Sequence, residues 1–384
     1  MRILYISNST GGGGAPASLY NLIEGLACRH KIGVVLPQAS GDLYDKLQDL
    51  GVKIYDSVPY VLDIWPKTYN PFRFISNCIK LCKNRSSVRS YIGSIIDDFH
   101  PDIVHTNVGP LSIGVEETIK RGIPHVWHMR EYQDKDFSMT FFPSRRAFIN
   151  LIHSDNNHNI SITQDIFRHW NLRTGKDIVV YNAIRRVPDK PVTESADKGY
   201  FLYVGRIEKS KGLMTLLKAF KQYKMLRGAN NLLVAGRPCG FYALWCKLYV
   251  RLFGLSSSVD FLGPRNDVHS LMAAADAFVM TSYSEGFGLT TAEAMINRCV
   301  VIGRDTAGTK EQFDRGVEVT GSEIALRFND GQELLACLEY VSDAKHLPEL
   351  QALKTRAESV ASTLYTAERY VMEIENYYKS ILGL

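Results

Sequence analysis

Two glutamates, Glu285 and Glu293, stand eight positions apart in the run Ser284-Glu285-Gly286-Phe287-Gly288-Leu289-Thr290-Thr291-Ala292-Glu293. The apolar run Ala277–Met280 precedes them, and a helical pattern over Thr291–Ile296 follows. The order is that of a strand, a glycine-bearing turn and a helix start, which aims backbone N–H groups at an anion. Carboxylates beside an anion site make sense if they accept from hydroxyl groups instead of meeting the anion. A nucleoside diphosphate sugar carries both kinds of group: a diphosphate that needs donors, and a ribose and sugar that need acceptors. Glu293 also has a structural alternative, because Thr290-x-x-Glu293 matches a capping box in which the carboxylate bonds back to the Thr290 N–H.

A second cluster is Val204-Gly205-Arg206-Ile207-Glu208-Lys209-Ser210-Lys211-Gly212. A strand delivers Arg206 to its C-terminal edge, and Lys211 opens the helix Leu213–Leu226. Two cations and a helix start can converge there on one diphosphate through charge-assisted bonds. The plain alternative is a solvated basic turn. Near the N-terminus, Gly11–Gly14 follows the first strand, and Gly12-x-Gly14-x-x-Ala17 fits the dinucleotide fingerprint. The acid that such a fingerprint wants after the second strand is missing, since Leu36-Pro37-Gln38-Ala39 stands there. The loop is therefore read as a flexible approach to a diphosphate or an acceptor, with Gly12 and Gly13 at its centre, or as a tight turn. His105 with Asn107, and His128 with Arg130, end two further strands, where an imidazole can bond a sugar hydroxyl or a leaving phosphate. Asn182 sits after the run Ile178–Tyr181 and suits a turn as well as a ligand role.

These sites need positioning elements, and the apolar runs supply them. Arg2–Ser7, Lys31–Leu36, Val52–Tyr55, Asp102–Thr106, His125–His128, Ile160–Thr163 and Ile178–Tyr181 read as buried parallel strands, with helical patterns such as Ala17–Ala27 and Gly114–Lys120 between them. The pattern restarts at Tyr200–Val204 and runs through Asn231–Ala235, Val259–Leu262, Ala277–Met280 and Val300–Ile302. The polar, proline-bearing stretch between the two series reads as a linker. The expected organisation is an α/β chain of two Rossmann-like domains facing one another across a cleft. The first spans residues 1–184 on the acceptor side. A linker follows at 185–199, then a nucleotide-sugar domain at 200–365. A C-terminal helix at 366–384 follows, which by resemblance to related folds packs back on the first domain.

At 384 residues the chain is too long for one ordinary core. Its 45% hydrophobic and 22% charged content are those of a soluble globular protein. No run approaches the ~20 apolar residues of a membrane helix. Seven scattered cysteines without a C-x-x-C pair argue for reduced thiols in the cytoplasm and against a metal site. No acid occurs from Ile64 to Ile96, where Lys67, Arg73, Lys80, Lys83, Arg85 and Arg89 mix with Trp65, Tyr69, Phe72, Phe74 and Ile75. A second acid-free patch, Arg237–Leu255, carries Tyr242, Trp245, Lys247, Tyr249, Arg251 and Phe253. Such patches suit an anionic membrane surface or a lipid phosphate, or else they are amphipathic helices with solvated basic faces. No feature suggests a nucleic-acid partner.

Taken together, these residues resemble the retaining glycosyltransferases of family 4, which have the GT-B fold and serve in bacterial cell-surface polysaccharide synthesis. The E-x7-E signature of that family matches Glu285 to Glu293. Its G-R-x4-K-G matches Gly205-Arg206 to Lys211-Gly212, its glycine loop Gly11–Gly14, and its strand-end histidine His128. The resemblance covers nearly the whole chain and is strongest from Tyr200 to Ile302. It implies that Arg206 and Lys211 bind the donor diphosphate, that Glu293 holds the ribose and that Glu285 contacts the sugar. Backbone around Gly286, Phe287, Gly288 and Leu289 would lie near sugar and phosphate. The catalytic set would be Glu285, His128, Arg206 and Lys211, with His105, Asn107 and Arg130 on the acceptor side. The chain departs from the family at Ala15-Pro16, where an acid is common, and at Trp127–Glu131, where an aspartate commonly follows the histidine.

The implied reaction moves a sugar from a nucleoside diphosphate sugar to an acceptor hydroxyl, with retention. It needs no cofactor or metal, proceeds by front-face attack, and is protected by closure of the cleft. The acceptor would be a glycan or lipid-linked glycan at the inner face of the plasma membrane, with the 64–96 segment as a membrane contact. The competing readings are an idle nucleotide-sugar-binding or scaffold subunit, a NAD-linked dehydrogenase, and a metal-dependent GT-A transferase resting on Asp134-Lys135-Asp136.

Overall fold

The computed structural model describes residues 1–134, 139–184 and 199–384. The linker at 185–199 therefore lies outside the described residues except for Gly199. Two compact units divide the chain. The first comprises Met1–Ala183 and Ala367–Leu384, and the second Ile184–Thr366.

In the first unit, β1 (Arg2–Ile6), β2 (Lys31–Val35), β3 (Lys53–Tyr55), β5 (Ile103–Thr106), β6 (His125–Met129), β8 (Asn157–Ser161) and β9 (Ile178–Val179) form one sheet. Its order is β3-β2-β1-β5-β6-β8-β9, and every pairing in it is parallel. Strands β4 (Ile64–Pro66) and β7 (Met139–Phe141) form a separate antiparallel pair. Alternate side chains of β1 serve opposite cores, as the period of two requires. Ile3 and Tyr5 join one, with Leu19, Leu22 and Ile23 of α1 (Gly14–Leu26). Leu4 and Ile6 join the other, with Ile92, Ile96 and Phe99 of α3 (Pro71–Phe99), a helix that follows α2 (Asp42–Asp49).

Two sequence expectations are corrected in this unit. The strand expected at Ile160–Thr163 is Asn157–Ser161, because buried polar side chains occupy its first half. Asn157 Oδ1 lies 2.6 Å from His125 Nδ1, and Asn159 Nδ2 donates to Asp177 Oδ1 at 3.0 Å and to the Ile152 carbonyl at 2.9 Å. Satisfied in this way, asparagines can occupy a buried strand. Thr163 instead caps α6 (Gln164–His169), a helix that follows α4 (Ile113–Arg121) and α5 (Arg145–Ile152). The basic patch of residues 64–96 is also only partly available. Arg85 pairs with Glu116 at 2.5 Å and Arg89 pairs with the same carboxylate, so both guanidinium groups hold α3 to α4.

In the second unit, β10 (Tyr200–Val204), β11 (Asn231–Ala235), β12 (Val259–Gly263), β13 (Ala277–Met280), β14 (Val300–Arg304) and β15 (Leu326–Phe328) form a parallel sheet. Its order is β12-β11-β10-β13-β14-β15. Strand β15 had no counterpart in the sequence reading, since three residues around an arginine give no apolar run. The helices are α7 (Leu213–Met225), α8 (Gly240–Leu252), α9 (Val268–Ala274), α10 (Leu289–Ile296), α11 (Ala307–Thr320), α12 (Gly331–Ser342) and α13 (Leu347–Leu364). Phe201 and Tyr203 of β10 meet Leu213, Leu217 and Phe220 of α7 in the core.

The helix α14 (Ala367–Leu382) completes the first unit. Tyr370, Ile374, Tyr377 and Tyr378 lie in the same core as α1. Its Glu375 is buried, with Arg29, His30 and Lys379 at 2.8, 3.2 and 2.9 Å. Burial alone would raise this carboxyl, but the hydrogen bonds from Lys379 and His30 and the charges of Arg29 and Lys379 outweigh it and hold it below its ordinary value.

Candidate active site

In the second unit the turn after β10 carries the first cations. Arg206 pairs with Glu208 Oε1 at 3.0 Å and is about half exposed, while Ser210 donates to the same carboxylate oxygen at 2.9 Å. Lys211 closes a 3-10 turn, Lys209–Lys211, and Gly212 caps α7 at φ +69°. A Cβ at Gly212 would stand 2.2 Å from the Thr281 carbonyl, so only glycine lets this turn approach β13's end so closely. The Thr281 hydroxyl donates to the Lys211 carbonyl at 2.8 Å and fixes the same approach.

The result is a direct contact between two residues far apart in sequence. Lys211 Nζ donates to Glu285 Oε1 at 2.6 Å, and Ser282 Oγ donates to that oxygen at 2.9 Å. The loop that carries Glu285 is braced from α11, where Gly308 N donates to the Glu285 carbonyl at 2.9 Å. Gln312 Nε2 donates to the carbonyls of Phe287 and Gly288 at 2.6 and 3.1 Å. The structure thus brings Lys211 and Glu285 together, while Arg206 turns to a different acid.

Gly288, at φ +88°, caps α10, and Leu289 is its first residue. No side chain caps this end. The capping-box alternative is therefore not formed, because Thr290 already lies inside the helix. Glu293 stands in the second turn, between buried Ala292 and Ala294. Its carboxylate has no hydrogen bond or ion pair among the described residues, and burial pushes its pKa up. A desolvated carboxylate next to the start of a helix is primed to accept from hydroxyl groups.

In the first unit, Gly13 caps α1 and the Gly12–Gly14 loop is exposed. Asn107 Nδ2 donates to the Ala15 carbonyl at 3.1 Å, which ties this loop to β5's end. Arg130 is buried at 4% exposure. It donates to Asn107 Oδ1 at 2.9 and 3.1 Å, to Asn182 Oδ1 at 2.7 Å and to the Tyr370 hydroxyl at 2.9 Å. All its partners among the described residues are neutral. Arg130 Nη2 also lies 3.3 Å from His128 Nδ1. A guanidinium can only donate, so Nδ1 accepts and the proton of the neutral ring sits on Nε2. Burial, then the Arg130 charge, hold the His128 pKa well below its ordinary value. His128 is thus a neutral imidazole whose buried Nε2–H has no partner among the described residues. His105 packs 5.4 Å from it, centroid to centroid, and its Nδ1 lies 2.6 Å from the Tyr378 hydroxyl.

Sequence reasoning did not reach Tyr370 and Tyr378, which arrive from α14, nor Ser282 and Gln312. Polar residues on a core-facing helix were the available signal for the tyrosines. Asp134 of the D-x-D candidate pairs with Arg145 at 3.2 Å and His169 at 2.9 Å, and Asp136 lies outside the described residues. Among the described residues no group of His, Cys, Asp or Glu could hold a metal ion.

Two Rossmann-like units of parallel sheet in one chain constitute the GT-B fold. The solved structure of Anabaena HepE in complex with UDP and glucose shares it, with a TM-score of 0.76 at 18% identity over 99% of this chain and 100% of that one. Residues 186–355, the second unit except for its ends, match the family described as Glycosyl transferases group 1. Among curated proteins, the GDP-mannose:cellobiosyl-diphosphopolyprenol alpha-mannosyltransferase of Komagataeibacter xylinus is 26% identical over 224 residues, 57% of this chain and 54% of the relative. The lipopolysaccharide core biosynthesis mannosyltransferase LpcC of Rhizobium leguminosarum bv. viciae is 29% identical over 184 residues, 47% of this chain and 50% of the relative. The chain thus spans about half the length of the curated relatives it matches.

Proposed function

We propose that this protein is a retaining glycosyltransferase. It moves a sugar from a nucleoside diphosphate sugar to a hydroxyl of a lipid-linked or other glycan acceptor, in assembly of a bacterial surface polysaccharide. The observation that carries this reading is the unlike pair of glutamates around one helix start: Glu285 tied to Lys211, and Glu293 desolvated without a partner. A site for a plain phosphate would not keep both carboxylates. The two curated relatives act on mannosyl donors by name, and HepE was solved with UDP and glucose, which supports a nucleotide-sugar donor and leaves the base to experiment.

In this reading Glu293 accepts from the ribose hydroxyls and Glu285 orients the sugar. The ammonium of Lys211 has three donors and gives one to Glu285, so two remain for the diphosphate. Arg206, half exposed, swings from Glu208 to the same anion. As the glycosidic bond breaks, negative charge grows on the leaving phosphate, and these cations with the α10 start stabilise it. Removing one such preorganised group typically costs roughly 10²–10³ in rate. The leaving phosphate takes the acceptor proton in a front-face reaction, and no metal or other cofactor is required. In the other unit the neutral Nε2–H of His128 donates to a substrate oxygen on the acceptor side, while the buried Arg130, Asn107 and His105 position it there. The exposed first turns of α3, with Phe72, Arg73, Ile75 and Lys80, are a contact for the cytoplasmic face of the membrane.

The test combines donor binding with turnover. A panel of UDP-, GDP- and ADP-sugars is scanned for thermal stabilisation with and without EDTA, and the productive donor is then incubated with lipid-linked glycan acceptors. Transfer with retained anomeric configuration by NMR, unaffected by EDTA, is the expected result. Binding without consumption of any donor would replace this reading with that of a sensor or scaffold.

A further inference from the structure

Helix α8 carries an apolar face where a surface helix should be polar. Its core side is Ala243, Cys246 and Val250, all buried. The opposite side presents Phe241, Leu244, Trp245, Leu248 and Leu252 at 89, 62, 56, 45 and 67% exposure. At 3.6 residues per turn these five positions fall within about 100° of the helix circumference and stand directly across from the buried three. A helix stabilised only by its own unit has no reason to line its outer face with five large apolar side chains.

The charges around the stripe identify what covers it. Arg237, Lys247 and Arg251 are exposed, and none of them has an ion pair among the described residues. Lys247 and Arg251 lie along one edge of the stripe, by the same helical geometry. No aspartate or glutamate occurs anywhere from Lys209 to Val259. A protein partner would need acids here no less than a lipid would. The combination of a narrow apolar stripe with a tryptophan, a basic edge and no acid over so long a segment is, however, that of a helix lying in the interface of an anionic bilayer. No helix among the described residues is long and apolar enough to cross a membrane, so the contact would be peripheral.

We propose that α8 is an interfacial anchor that inserts Phe241, Leu244, Trp245, Leu248 and Leu252 into the headgroup region of an anionic membrane. The anchor lies on the nucleotide-sugar unit. It stands on its own observation and does not depend on the transfer reading.

Trp245 is also the reporter, because the other tryptophans, Trp65, Trp127 and Trp170, are at most 7% exposed. The purified full chain is titrated with vesicles of neutral lipid, and with vesicles containing anionic lipid, at low and at high salt. Binding is read by co-flotation and by the emission of Trp245. Expected are association with anionic vesicles and a blue shift that is absent in Trp245→Phe. Association should weaken several-fold on raising the salt. The double variant Phe241→Ser/Leu248→Ser should lose at least tenfold in partition while keeping its melting temperature and its thermal shift with the donor. Phe72→Ser/Ile75→Ser on α3 should leave the Trp245 blue shift in place. Three results would overturn the proposal: no flotation of the wild type, equal flotation of the α8 variant, or a blue shift that follows protein concentration without lipid, which would make a second copy of the chain the occupant. Failure of donor binding with intact flotation would instead strike only the transferase reading.

Discussion

Replacing Glu293 with leucine should make the free protein more stable and its donor site worse. Glu293 is half-buried, burial pushes its carboxyl pKa up, and no hydrogen bond or ion pair among the described residues compensates it. Leaving a polar group in that condition costs about 1–3 kcal/mol. A leucine of similar volume removes that cost, and a gain of 1 kcal/mol moves the melting temperature of a unit of this size by about 2–4 °C. Glu293→Leu should therefore melt several degrees higher than wild type at pH 7.

The pH dependence follows from the direction of the shift. With its pKa raised above 4.5, the folded protein prefers the protonated acid. The penalty is absent below the ordinary carboxyl value, grows as pH rises through the raised value, and is constant above it. The gap between the variant and wild type should thus close as pH falls towards 4.5. Donor binding should move oppositely. A hydrogen bond to a charged acceptor contributes about 1.5–3 kcal/mol, so losing one weakens the donor by roughly 10–150-fold. At a concentration of 100 times the wild-type Kd, the ligand stabilises wild type by about 2.7 kcal/mol. In the variant the same concentration should give about 1.4 kcal/mol or less. Differential scanning fluorimetry with and without the donor measures both effects. A variant that melts lower than wild type at every pH, or one that keeps the full ligand shift, would refute the reasoning.

Gly212→Ala should destabilise the protein by more than about 1 kcal/mol and impair turnover, because its Cβ would meet the Thr281 carbonyl and push the Lys211 turn off Glu285; denaturant unfolding and kcat/KM check this. Lys211→Met should lower transfer by roughly 10²–10³, the usual loss for one preorganised group at a developing charge, measured by donor consumption under saturating acceptor. The first unit should be acid-labile. Burial holds His105 and His128 well below their ordinary pKa and pushes His125 down to about 4, so folding contributes stability above about pH 6.5 that is lost as pH falls and the unfolded imidazoles take protons the folded ones refuse. Each such proton contributes a slope of about 1.4 kcal/mol per pH unit, and a melting-temperature profile from pH 7 to 5 should flatten in His125→Gln. Arg130→Met should remove the donor that holds His128 in its Nε2–H tautomer, so transfer should fall while donor-induced stabilisation persists.

Much of the frame was legible because buried parallel strands are continuous apolar runs, and Tyr200–Val204, Asn231–Ala235 and Ala277–Met280 stand as read. Where polar side chains are satisfied inside the fold, that signal failed. Asn157 and Asn159 hid the first half of β8, and Arg327, shared by Asp305 and Asp314, hid β15. The glutamates and Lys211 were legible as residue types at a spacing. Their unlike states were not, since the pairing of Lys211 with Glu285 depends on a contact across 74 positions of sequence. The basic patch of 64–96 shows the reverse error: composition counted Arg85 and Arg89 as available, and folding gives both to Glu116. The neutral tautomer of His128 depends on Arg130, and the cluster around Arg130 on Tyr370, a partner no local pattern could supply.

The placement of α14 bears on how the molecule is made. Its tyrosines finish the core around α1, yet in sequence the whole second unit is interposed between them and Ala183. During synthesis the second unit emerges complete while the first still lacks Tyr370, Ile374 and Tyr378. Until translation reaches them, the apolar face of α1 and the side chains of Arg29 and His30, which Glu375 later joins, stand uncovered on the ribosome. The first unit to begin is thus the last to be stabilised, and its folding carries the high contact order that slows folding and exposes chains to aggregation. Stalled or prematurely terminated chains would release a folded second unit attached to an unfinished first one.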